Sequence, residues 1–295
     1  MKKLTKLFMI IATVAIALVA TLGFTACGAG DGIHVIIRND GSGTRTAFDS
    51  IVQLNAENPI TPDHQSIATN GGVLTAVAAN ENAIGYVSGY TVNTTVRAIT
   101  IDGRTHTAAD FPVSRPFIVA YNTHVGLNNL EPLTRAFWEF VISTNAQQTI
   151  TQTLVAGLGV REAFTFPAVR PEGSQVLIRG SSSVTPIMQT LRARFLELAP
   201  AGWALTVADI DIDGPGTGVG FGDVNGILHT TNRYRTIAMA SANLNATQAG
   251  NSVQNTIAID TIAIIVHPNN NITNLTMTQL RGIFRGIYRH WADMA

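Results

Sequence analysis

The sequence predicts an α/β protein with mostly parallel sheets, and three features predict it. Short, apolar, β-branched runs alternate with stretches of helical spacing. A segment of Pro, Gly and polar residues, 167–174, separates two such cycles. Loops rich in Gly, Ser and Thr stand where strand patterns give way to helix patterns. With 295 residues, 46% hydrophobic and 13% charged, the chain can bury two modest cores and is too apolar for disorder.

The elements follow in order. His34 to Ile37 reads as a buried strand, followed by the loop Arg38 to Thr44 and a helical stretch from Arg45 to Leu54. Val73 to Ala79 reads as a helix, Ala83 to Val87 as a strand, and Val96 to Ile101 as a strand running into the turn Asp102-Gly103. Phe117 to Ala120 is apolar, and Leu133 to Ile142 has helical spacing. After the linker, Val176 to Ile178 is a strand, Gly180 to Ser183 a loop, and Pro186 to Leu198 an amphipathic helix with proline tolerated near its start. Ile257 to Val266 is a second long apolar run, and Thr276 to Phe284 a helix.

The N-terminus reads as a signal peptide over residues 1–26: Lys2, Lys3 and Lys6 precede an apolar run from Leu7 to Leu22, then small residues. That run is marginal for spanning a bilayer, and no basic stop-transfer cluster follows it. These are the only lysines, so their removal leaves 16 arginines against 19 acidic residues, a body charge of −3. Such a balance argues against a nucleic-acid partner and means that an anion must be captured by local donors.

Two strand–loop–helix junctions offer such donors. Arg38-Asn-Asp-Gly-Ser-Gly-Thr44 and Gly180-Ser-Ser-Ser-Val-Thr185 place small, hydroxyl-bearing residues before a helix N-terminus. There, free backbone N–H groups and the positive end of the helix dipole favour an anion. Arg38 adds a fixed fork of donors. Asp40 is expected to accept a hydrogen from a ligand that keeps a proton, which favours phosphate over fully ionised oxyanions. Each junction is also compatible with a plain N-cap, Arg38 and Asp40 with a surface ion pair, and Asp213 to Gly220 with an ordinary glycine loop. The residues by themselves read as a two-lobed oxyanion binder.

Together these segments resemble the phosphate-binding lipoproteins of phosphate ABC transporters. The resemblance rests on Arg38 to Arg45, Thr69 to Gly72, Asn82 to Ser88, Val96 to Gly103, Ser114 to Pro116, Gly180 to Pro186, Ile257 to Val266 and Leu275 to Phe284, continuing to Trp291. The block 176–295 ordinarily precedes the block 33–160, so the order here is reversed, as in a circular permutation or a truncated tandem.

The resemblance implies a two-lobed fold of the type II periplasmic-binding-protein kind, with the ligand cleft between lobes. Lobe A would comprise 33–90 and 267–295, and lobe B 91–266, with Ala295 ending beside Ile33. It implies ligand contacts from Arg38, Asp40, Ser42, Gly43 and Thr44 in one lobe, and from Ser182, Ser183, Val184, Thr217 and Ser241 in the other. Ala242, where many relatives have arginine, and Arg179, where they have a small residue, depart from the family pattern.

Phe24 to Gly28 is similar to a bacterial lipobox, which makes Cys27, the only cysteine, the lipidated first mature residue and 27–32 a tether. The implied protein is extracytoplasmic, anchored to the bacterial cell membrane by lipid, and a monomer that delivers inorganic phosphate to an ABC permease. No cofactor or metal is expected, because the seven histidines are scattered. Alternatives are a binder of another oxyanion, a sensory or adhesive relative, or, on weaker grounds, a secreted phosphatase.

Overall fold

The computed structural model describes residues 32–153, 161–224 and 232–294. The expected signal peptide, Cys27 and Ala295 lie outside them. Nine strands form one sheet: β1 (His34–Arg38), β2 (His64–Ile67), β3 (Ala83–Ser88), β4 (Arg97–Ala98), β6 (Ser114–Asn122), β7 (Val176–Gly180), β8 (Ile210–Asp213), β9 (Thr236–Ala240) and β10 (Ser252–Val266). The order is β2-β1-β3-β10-β6-β9-β7-β8, with β4 also paired to β10. β5 (Thr100–Ile101) and β11 (Asn274–Leu275) form a separate parallel pair. The helices are α1 (Gly43–Val52), α2 (Asn70–Ala78), α3 (Pro132–Val141), α4 (Thr144–Thr153), α5 (Thr185–Leu198), α6 (Thr217–Val224), α7 (Ala246–Ala249) and α8 (Met277–Phe284).

Side-chain alternation along the strands builds separate cores on the two faces. In β1, Val35 and Ile37 face a core with Phe48, Tyr86 and Phe284, while Ile36 faces one with Val73, Val77 and Val87. In β6, Phe117, Val119 and Tyr121 join Phe137, Phe195 and Trp203, and Ile118 and Ala120 pack on Phe221 and Val224. β10 takes part in both halves. Its Ile262–Val266 part pairs with β3, and its Ser252–Thr261 part pairs with β6.

Val96, Ile99, Ile101, Phe111 and Val113 are buried with the residues of β1 and β3. This stretch therefore packs with β1 and β3. The reason is local: β4 adds to β10 at Arg97–Val266, and β5 then leaves for β11, which splits the single strand expected over 96–101 into two. Ile33 and Arg289 adjoin, since the Ile33 N–H donates to Arg289 O at 2.6 Å. Residues 33–295 form one compact unit.

Candidate functional site

Three strand–helix junctions and the end of a fourth strand meet at one place. β1 leads into α1 through Arg38 to Ser42, β7 into α5 through Ser181 to Val184, and β8 into α6 through Gly214 to Gly216. β9 ends at Ala240, just before Ser241. Ser42 caps α1 by accepting from the Arg45 N–H at 3.4 Å. Across the junction Thr44 Oγ1 lies 2.8 Å from Ser183 Oγ, and Ser181 Oγ 2.7 Å from Ser241 Oγ. A Cβ at Gly43 would collide with Ser241 Oγ and crowd Thr217 Oγ1 at 3.2 Å, so the close approach of these loops requires glycine there. Tyr90 donates its hydroxyl to Ser183 O, tying the segment after β3 to the α5 loop.

Arg38 supplies the charge. Its residue is 1% exposed; Nη1 donates to Asn70 Oδ1 at 2.6 Å, and Nη2 donates to Ala68 O at 2.6 Å and Ser182 Oγ at 3.4 Å. Among the described residues no carboxylate is within ion-pair distance of it, and its Nε has no hydrogen-bond partner. Burial, and next the Arg115 cation, pull its pKa down to about 10, which still leaves it charged at neutral pH. Thr217 Oγ1 is likewise buried without a partner. A buried cation and a buried hydroxyl with donors to spare, set among helix N-termini, have the chemistry to donate to an oxyanion.

Of the residues named from sequence, Arg38, Gly43, Thr44, Ser183, Thr217 and Ser241 come together here. Ser182 is exposed and reaches the group only through Arg38. The Val184 N–H is taken by Ser181 O at 3.0 Å, and the Ser42 hydroxyl oxygen accepts the capping bond from Arg45. Asp40 is the clear departure. It lies in the turn before α1, its side chain is 97% exposed and stands 3.6 Å from Arg45 in the first turn of that helix, so it faces solvent rather than the other loops. Arg179 also turns away, pairing with Asp211.

Sequence reasoning missed a buried ion pair behind the loops. Arg115 and Asp260 are direct cross-strand neighbours on β6 and β10. Arg115 Nη2 and Nε donate to Asp260 Oδ2 at 2.9 and 3.1 Å, and Nη1 donates to Ser241 O at 3.1 Å. Ser88 Oγ bonds the same carboxylate. Burial works against charge on both partners, pulling Arg115 down and pushing Asp260 up, and their mutual attraction opposes it. The available signal was a lone arginine and a lone aspartate inside two apolar strand patterns.

A profile of the PBP superfamily domain matches residues 25–145 and 167–295. The chain is 28% identical over 276 residues to phosphate-binding protein PstS 2 of Streptococcus agalactiae, covering 89% of this chain and 88% of that one. It is 27% identical to phosphate-binding protein PstS 2 of Streptococcus pneumoniae, covering 91% and 93%. The crystal structure of a phosphate ABC transporter phosphate-binding protein from S. pneumoniae TIGR4 superposes with a TM-score of 0.66 at 24% identity, over 90% of this chain and 100% of that one. In sequence profile and in fold alike, the chain belongs to the PBP superfamily.

Proposed function

We propose that this protein is an extracytoplasmic solute-binding protein that captures inorganic phosphate between its two halves and delivers it to an ABC importer. The observation that carries this reading is Arg38, buried without a carboxylate partner where the α1, α5 and α6 N-termini meet. The geometry supports an oxyanion; with Asp40 in solvent, the choice of phosphate follows the names of the relatives. Arg38, Gly43, Thr44, Ser183, Thr217 and Ser241 hold the anion. The two halves serve as the lobes, 33–113 with 262–295 and 114–261, and close by bending where the chain passes between them.

The lone Cys27 at the end of a signal-peptide pattern supports a lipid anchor on the outer face of the cell membrane. The adjoining of Ile33 and Arg289 supports reading the reversed block order as a circular permutation. A monomer suffices for this role, and the anion is bound rather than transformed.

The test is titration calorimetry on the chain from Cys27 onward, with phosphate and then sulfate, between about pH 5 and 8.5. Saturable one-to-one phosphate binding is expected. Sulfate heat without phosphate heat would redirect the reading to another oxyanion, and no heat from the folded protein with either would overturn it.

A further inference from the structure

The site contains two buried arginines and one buried carboxylate. Arg38 closes β1 in one half of the molecule, and Arg115 opens β6 in the other. Both are buried, and the Arg115 charge is felt at Arg38, where it disfavours the second cation. Asp260 is committed to Arg115 through two donated hydrogen bonds and to Ser88 through a third. The Arg115 guanidinium also holds Ser241 O, so it lies one residue behind the hydroxyl that meets Ser181 in the anion site.

We propose that the Arg115–Asp260 pair sets the charge of the anion site from behind it: Asp260 cancels Arg115 and leaves Arg38 as the single uncompensated cation. Asp260 is thereby a residue that governs affinity without touching the ligand. Removing its charge exposes the anion to two buried cations. Removing the Arg115 charge instead leaves Asp260 without its cation: while ionised it offsets Arg38 and repels the anion, and as pH falls it takes up a proton and the effect fades. In a weakly polar interior such a change in charge a residue or two away alters anion affinity by about tenfold. A pair whose only task is to brace the strands predicts something different, because breaking it from either side would loosen Ser241 and weaken binding alike.

The inference rests on the oxyanion reading above, and its test separates the two. Inorganic phosphate is titrated into the chain from Cys27 onward as wild type, Asp260→Asn, Arg115→Met, Arg115→Lys and the double variant Arg115→Met with Asp260→Leu, each checked for folding by circular dichroism. Asp260→Asn is expected to bind about tenfold more tightly and Arg115→Met about tenfold more weakly, with Arg115→Lys recovering most of that loss. Weakening in both Asp260→Asn and Arg115→Met overturns the inference while leaving the function standing; a wild type that binds no phosphate overturns both. If the single-charge variants do not fold, the double variant decides, since an apolar replacement of a buried pair is generally tolerated. A loss smaller than about tenfold supports the charge role, and a larger one overturns it.

Discussion

The junctions after β1 and β7 have the same plan, a parallel strand ending near an arginine and a small-residue loop entering a helix, yet only one arginine faces the site. Arg38 is paired in register with Ile67 of β2, which offers it no charge. Arg179 is paired with Asp213 of β8, and its guanidinium is taken up by the neighbouring Asp211. The first loop thus keeps a free cation, and the second contributes hydroxyls and helix N-termini. The difference teaches that the strand beside an arginine decides whether its charge reaches the ligand.

The strongest way to break this comparison is Arg38→Met, which should weaken phosphate binding by at least about thirtyfold, the lower end of the ~2–5 kcal/mol expected when one partner of a buried charge contact is removed; calorimetry reads it, and a smaller effect would place the charge elsewhere. Gly43→Ala comes next. Its methyl meets Ser241 Oγ, so the loops must separate, at about 1–3 kcal/mol of overpacking. Loss of both affinity and thermal stability is expected, and an unchanged melting temperature would argue that the loops stand further apart.

Ser183→Ala tests the second loop. It removes the hydroxyl facing Thr44 and should reduce affinity by about 1 kcal/mol, a few-fold, in the same titration. The smallest effect belongs to Asp40→Asn: affinity within about twofold of wild type, with an unaltered pH profile between about pH 5 and 8.5. A profile that changes shape would restore Asp40 to the site.

Much of the fold was legible because β1, β3, β7 and the Ile257–Val266 part of β10 are dominated by apolar residues with few other readings, whereas the polar Ser252–Thr256 start of β10 was not read. Less legible was α6, whose Thr-Gly-Val-Gly-Phe-Gly stretch has poor helix propensity. It is helical because it packs closely on β7: a Cβ at Gly220 would collide with Arg179 O, a tertiary requirement no local pattern announces. β2 was missed because its burial is only partial and its residues are polar. In the site, loop chemistry located Arg38, Thr44 and Ser183. The direction of Asp40 depends on Arg45 five residues along, and the Arg115–Asp260 pair on strand register, so both appeared only with the folded chain.

β10 has a consequence for how the molecule comes apart. Its Ile257 and Ala258 are buried in one half, and Ile262 through Val266 in the other, along one unbroken strand. Neither half can be excised without taking core residues from its neighbour, so the halves are not separable folding units. Melting should therefore occur as one cooperative transition, with calorimetric and van't Hoff enthalpies equal, even though the described residues carry separate hydrophobic clusters.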